Sequence, residues 1–184
     1  MDRSLVEQAI AGDREAYTEL VRQSIDRSYA VATLVLRDPE WARDATQEAY
    51  VNAWRDLSSL RDPDAFEPWI RKLVVRACYR EAGRQRRHLH VEVREVSMGG
   101  SVPDSTAAIA QRDLLERGFR KLAPDQRAVL VLHHYLGLTV DEVAATMGIP
   151  VGTAKSRIHR ATDVMRATLE ADARASLLPE GPLA

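Results

Sequence analysis

The chain has 184 residues, 45% of them hydrophobic and 29% charged, with a formal net charge of −1, which is material for one domain or two small ones. Its single cysteine, Cys78, excludes an internal disulfide and fits a reducing cytosol. No apolar run approaches the ~20 residues that span a membrane, and the opening Met1-Asp-Arg-Ser-Leu5 lacks the basic-then-apolar order of a signal peptide, so a cytoplasmic protein without membrane insertion is expected.

Few aromatic residues and scarce β-branched alternation predict an all-helical chain. Residues from about 4 to 87 read as successive helices. Gly12-Asp13 punctuates the first two, Asp38-Pro39 opens a third that reaches about Leu57, and Asp62-Pro63-Asp64 breaks before a fourth from about Ala65 to Arg87. In the third helix Ala45, Ala49, Tyr50, Ala53, Trp54 and Leu57 form the apolar side. Asp44, Gln47 and Glu48, spaced i, i+3 and i+4, share the outer face with no obvious internal partner, as a solvated surface or a protein-docking patch. In the fourth helix Phe66, Ile70, Leu73, Val74 and Ala77 cluster as a core face. Trp69, Lys72, Arg76, Tyr79 and Arg80 make an adjacent face of interleaved cations and rings. Single-stranded nucleic acid binding needs that mixture, because cations track phosphates and rings stack on unpaired bases. The competing reading is a solvated cationic face with Trp69 buried.

Residues 88–107 lose helical period and gain Gly, Ser and Pro, as a flexible linker does. Such a segment buries little surface, so the two halves are expected to fold independently and to sample several arrangements. One of these is a closed form drawn together by opposite charge and sensitive to salt. Helix resumes near Ala108, with Leu115, Phe119 and Leu122 on one face, and a further helix covers Gln126–Leu136. Then comes a helix-turn-helix. Thr139 and Glu142 form a capping box, Gly148 can take the left-handed turn, and Pro150 suits the next helix start. Ala154, Ile158, Ala161 and Met165 make a buried stripe, leaving Thr153, Lys155, Ser156, Arg157, His159 and Arg160 for the other faces, an arrangement suited to the major groove. The tail after about residue 170 is expected to fray.

The near-zero net charge conceals local asymmetry. Residues 1–69 hold eight basic and fourteen acidic side chains, residues 70–90 seven and one, and residues 151–166 four and one. Two basic islands on two helices are an electrostatic footprint for nucleic acid.

This combination resembles the extracytoplasmic-function class (group 4) of the sigma-70 family of bacterial transcription initiation factors, over about residues 4 to 170. The run Leu5 to Leu20 is similar to the opening of sigma region 2, Asp44 to Trp54 to its polymerase-docking helix, and Phe66 to Val75 to its promoter-melting helix. Leu122-Ala-Pro-Asp-Gln-Arg-Ala-Val-Leu130 and Gly148 to Ala161 are similar to region 4. Arg76 and Ala154 depart from the commoner asparagine and valine, and Gly83 interrupts the melting helix.

The resemblance implies an all-α chain of two small helical domains joined by a flexible linker, the second a winged-helix-like four-helix domain with the helix-turn-helix. Residues 1–87 would be region 2, 88–107 the linker, 108–170 region 4 and 171–184 a flexible tail. Asp44, Gln47 and Glu48 would dock on the core RNA polymerase β′ clamp, with the β flap as a second polymerase contact. Trp69, Lys72, Arg76, Tyr79 and Arg80 would meet the −10 element and its opened strand, and the loop Asp56 to Asp64 would help hold a flipped base. Thr153, Lys155, Ser156, Arg157, His159 and Arg160 would read the −35 element. Promoter DNA and an anti-sigma factor complete the implied partners, with no cofactor, metal or catalytic residue of the chain's own.

A stand-alone dimeric helix-turn-helix regulator is the main rival, but it leaves the aromatic-basic helix unexplained. An enzyme is the weaker rival. His88 and His90, the adjacent His133 and His134, and Cys78 suggest metal or nucleophilic chemistry, but His133 and His134 stand about 100° apart on a helix, Cys78 lies beside the core stripe, a structural role is expected for each histidine, and no phosphate loop or triad spacing appears.

Overall fold

The computed structural model describes residues 1–88 and 106–176, with side chains over 1–84 and 113–171. Most of the expected linker, His90 within it, and residues 177–184 of the tail lie outside the described residues.

The punctuation in the sequence becomes helix capping. α1 (Arg3–Ile10), α2 (Arg14–Leu36) and α3 (Pro39–Asp56) each begin after an aspartate, Asp2, Asp13 or Asp38, whose side chain accepts from the backbone N–H groups of the first turn. α2 ends at Arg37, whose φ of 60° is the left-handed conformation, with its N–H donating to the Thr33 carbonyl at 2.7 Å. Two short 3₁₀ turns, Leu57–Ser59 and Pro63–Ala65, lead into α4 (Phe66–His88), which runs through Gly83 without a break. The second half holds α5 (Thr106–Arg120), α6 (Pro124–Leu130), a π turn over Val131–Tyr135, α7 (Val140–Met147) and α8 (Val151–Ser176). The described residues contain no strand, so the C-terminal four-helix unit carries no wing among them. α8 persists to Ser176, past the point where fraying was expected.

The first half packs α1 to α4 around Val6, Leu20, Tyr50, Leu57, Phe66 and Ile70, with Phe66, Leu20, Leu57 and Val6 fully buried. Tyr17 donates to the Tyr50 carbonyl at 2.6 Å and the Tyr50 hydroxyl reaches Ser24 at 2.7 Å, so buried polar groups tie α2 to α3. In the second half Leu122, Val129, Leu132, Val143, Ala144, Ala154, Ala161 and Met165 form the core of the helix-turn-helix. Of the residues read as sharing one face of α5 and the turn after it, Leu122 is buried and Leu115 is 45% exposed.

Of the arrangements expected for the two halves, the structure holds a closed one. A third apolar cluster joins Val31, Ala32, Val35 and Leu36 of α2 and Ala77, Cys78 and Ala82 of α4 to Ala128 of α6 and Val131. Val75 of α4 in turn belongs to the core of the second half. The halves are therefore closed on each other, but not by the charge attraction read from the sequence. Arg157 of α8 pairs with Asp125 of α6, and His159 and Arg166 pair with Asp163 of their own helix; small apolar side chains on α2, α4 and α6 allow close helix approach. Charge enters at the margin, where Arg37 pairs with Glu116 at 3.0 Å.

Candidate nucleic-acid interface

The helix-turn-helix is built as its sequence requires. The Thr139 N–H donates to the Glu142 carboxylate at 2.8 Å and the Glu142 N–H to the Thr139 hydroxyl at 3.3 Å, closing the capping box. These bonds hold the Glu142 carboxyl below its usual range, with a smaller contribution from Arg71 of α4. Gly148 turns the chain at φ 67°, and the Pro150 carbonyl accepts from Thr153 and Ala154 to start α8. Ala154 and Ala161 are fully buried, fixing which side of α8 faces out.

On that outer side Lys155, Ser156, His159 and Arg160 are exposed. Arg160 is held over Ser156, donating to its carbonyl at 3.2 Å and its hydroxyl at 3.3 Å, and His159 meets Asp163 at 2.8 Å. Thr153 is half-buried. Arg157, also half-buried, turns back toward Asp125 of α6 at 3.5 Å, so it is not freely presented.

The cationic face of α4 divides. Arg76 is exposed, Lys72 half-buried, and Trp69 leans on Phe66 with ring centroids 6.1 Å apart. Arg80 is exposed but donates to Glu48 of α3 at 2.9 Å, and Arg84 reaches the other Glu48 oxygen at 3.4 Å and Glu81 at 2.9 Å. Two sequence assignments are corrected here. Glu48 is not without an internal partner, because α3 and α4 pack side by side and bring the two arginines to it. Tyr79 is not on the DNA-facing surface: it packs between the two halves, and its buried hydroxyl has no hydrogen-bond partner among the described residues. Burial, with nearby Asp125, drives its phenol far above the ordinary range.

Asp44 and Gln47 remain exposed on α3. Beside them is a groove between α2 and α3 lined by Val21, Ile25, Tyr29, Val51 and Trp54. Val51 is 43% and Trp54 37% exposed, with Trp54 stacked at a tilt on Tyr17 at 4.9 Å. The sequence placed Trp54 on the buried side; its position at the edge of the apolar stripe was the available signal. The Asp56 to Asp64 loop is braced by buried Leu57, by Asp62 accepting from the Asp64 N–H, and by Arg3 pairing with Asp64 at 2.7 Å.

Of the residues weighed for other chemistry, His133, His134 and Cys78 have structural surroundings on view. The His133 ring is hydrogen-bonded to the Leu138 carbonyl at 2.7 Å and lies edge-on to His134. Cys78 is buried and its thiol is pushed up to about 12 by that burial, which suppresses the nucleophilic thiolate. Among the described residues no group of three or more potential metal ligands converges, and no helix is long and apolar enough to cross a membrane.

Two family models match the chain: sigma-70 region 2 over residues 20–88 and sigma-70 region 4 over residues 112–162. The chain is 32% identical over 160 residues to the ECF RNA polymerase sigma factor SigM of Mycobacterium tuberculosis, a match covering 87% of this chain and 80% of that protein. It is 33% identical to the RNA polymerase sigma-E factor of Streptomyces avermitilis over 89% of this chain and 92% of that one. Among solved structures, CnrH in complex with the cytosolic domain of CnrY has a TM-score of 0.66 and 27% identity, covering 93% of this chain and 98% of CnrH. The sigma factor RpoE of Bartonella quintana, solved with the anti-sigma factor NepR, shares the fold, with a TM-score of 0.68 at 21% identity over 85% of this chain and 98% of that one.

Proposed function

The chain belongs to the sigma-70 family of RNA polymerase sigma factors, in its extracytoplasmic-function class, and from that membership we propose how its promoter-directing work is divided along the chain. Residues 1–87 act as region 2 and residues 108–170 as region 4, with 88–107 between them and 171–184 as a tail. Asp44 and Gln47, with exposed Val51 and Trp54 beside them, dock on the β′ clamp of core polymerase. An exposed apolar pair next to polar side chains supports this, since such a patch gains by leaving water. The β flap is the contact of the second half.

Trp69, Lys72, Arg76 and Arg80 take the −10 element and its opened strand. A ring and cations together on one helix support single-strand capture. The braced loop from Asp56 to Asp64 holds a flipped base. Lys155, Ser156, His159 and Arg160, with Thr153 and Arg157 at the margin, read the −35 element in the major groove. The observation that carries this reading is the polarity of α8, whose fully buried Ala154 and Ala161 leave an exposed hydroxyl-and-cation front. The chain does no covalent chemistry and needs no cofactor; polymerase supplies the reaction. An inhibitory protein partner belongs to the same reading, supported by CnrH having been solved with the cytosolic domain of another protein.

Run-off transcription with core polymerase on a promoter library tests the proposal. A chain-dependent transcript is expected from a sequence-defined subset of promoters. A protein that yields no transcript, but binds a duplex operator tightly as a dimer without polymerase, is the stand-alone regulator instead.

A further inference from the structure

A small recess of about 100 Å³ lies between α2 and α4, with Val31, Ile70, Val74 and Leu136 as its apolar lining. Two guanidinium groups share it, exposed Arg27 of α2 and half-buried Arg71 of α4. Neither belongs to an ion pair or a hydrogen bond among the described residues. Burial lowers the Arg71 pKa, the like charge of Arg27 lowers it further, and Glu67 and Glu142 offset only part of this. Both acids are engaged elsewhere. Glu142 accepts from the Thr139 N–H at 2.8 Å and the Thr139 hydroxyl at 2.9 Å, and Glu67 lies 3.8 Å from the N-terminal ammonium. The serines of the recess have committed their protons. Ser24 donates to the Leu20 carbonyl at 2.6 Å and accepts from Tyr50 at 2.7 Å, and Ser28 meets the same Tyr50 hydroxyl at 3.0 Å. Gln23 keeps one amide N–H beyond its bond to Glu19 at 2.9 Å.

Two cations that share a recess with no carboxylate between them repel each other, and an apolar lining limits the screening of that repulsion. An anion seated between them turns the repulsion into attraction. Guanidinium forks match phosphate oxygens in pairs, and such charge-assisted bonds are stronger than neutral ones. The recess has the volume of about three waters, enough for one phosphate group and too small for a nucleoside. A phosphate therefore enters end-on and leaves whatever it is attached to outside. A backbone phosphodiester carries a sugar on either side and does not fit in that way. Arg71 and Lys72 are neighbours in sequence but point about 100° apart on α4, so the recess is separate from the strand-capture face.

We propose that Arg27 and Arg71 form a binding site, in the recess between α2 and α4, for a phosphate group, either free inorganic phosphate or the terminal phosphate of a small molecule. The two guanidinium groups take the phosphate oxygens, and Gln23 adds an amide donor at the mouth. The apolar lining strengthens the attraction by excluding water. A bound phosphate ties α2 to α4 and so stabilises the first half. The site uses no residue assigned above to promoter or polymerase, and it stands whether or not that reading does.

Isothermal titration calorimetry of the full chain with inorganic phosphate, at constant ionic strength against chloride, tests this. One saturable site is expected, weakened at least about tenfold by Arg27→Gln or by Arg71→Gln. Circular dichroism confirms that each variant remains helical. At ten times its dissociation constant, phosphate should raise the parental Tm by roughly 3–6 °C. Phosphate also stabilises proteins by exclusion from their surface, and only that general part should persist in the two variants. Without phosphate, Arg27→Gln should melt no lower than the parent, because the substitution removes a repulsion. Competition identifies the source. Displacement of phosphate by adenosine monophosphate, but not by adenosine, assigns the site to terminal phosphates; no displacement by either assigns it to the free ion. The site is overturned if phosphate binding does not saturate, or if both variants bind it like the parent. It is also overturned if a single-stranded oligonucleotide without terminal phosphates displaces phosphate from the parent, since the two arginines then belong to the DNA face.

Discussion

Replacing Glu48 with alanine separates the polymerase-docking face from the DNA-binding face. Glu48 accepts from Arg80 at 2.9 Å and Arg84 at 3.4 Å, with side chains 29%, 44% and 49% exposed. Ion pairs this exposed contribute about 0.2–1 kcal/mol each, so Glu48→Ala should cost about 1 kcal/mol of stability. For a chain of this size that is a drop of roughly 2–4 °C in Tm. The gain falls on α4. Arg84 keeps Glu81 at 2.9 Å, but Arg80 is left without its carboxylate. A freed guanidinium that neutralises one more phosphate of a single strand steepens the dependence of log K on log salt by about 0.7. Fluorescence anisotropy of a single-stranded −10 oligonucleotide bound by assembled holoenzyme, titrated over a salt series, measures this directly. Tighter binding at low salt, a steeper slope and parental affinity for core polymerase are expected. An unchanged slope would refute the assignment of Arg80 to the strand, and loss of core binding would return Glu48 to the docking face.

Asp44→Arg with Gln47→Arg should reduce co-purification with core polymerase at least about tenfold, equivalent to about 1.4 kcal/mol, while the circular dichroism spectrum stays parental. Trp69→Ala should lower the yield of open complexes in permanganate footprinting while leaving −35 duplex binding intact; normal melting of promoter thymines would remove Trp69 from strand capture. Arg160→Ala should weaken −35 duplex binding by about 1–3 kcal/mol. Asp125→Ala should strengthen it by releasing Arg157, and a gel-shift titration distinguishes the two. Gly148→Ala places a Cβ at φ 67° and should lower the unfolding free energy by about 1–2 kcal/mol in a denaturant melt.

Much of this protein is written locally in its sequence. The aspartate caps at Asp13 and Asp38, the Thr139–Glu142 box, the Gly148 turn and the stripe of Ala154, Ala161 and Met165 are all short-range signals, and the structure carries each of them out. A cap needs only the three residues that follow it, and a stripe needs only the helical period. The motifs resembling regions 2 and 4 were readable for the same reason. What the sequence could not settle were pairings between elements. Glu48 looked free because its arginine partners stand 32 and 36 positions away, on a helix whose rotation against α3 is a property of packing. Tyr79 sits on a wheel position adjacent to the cations, yet the second half covers that edge of α4 and turns a candidate base-stacking ring into a seam residue. The charge asymmetry suggested closure by salt-sensitive attraction. The tertiary structure closes the chain through alanines and valines instead, because only folding reveals that three helices have small enough side chains on facing sides to meet.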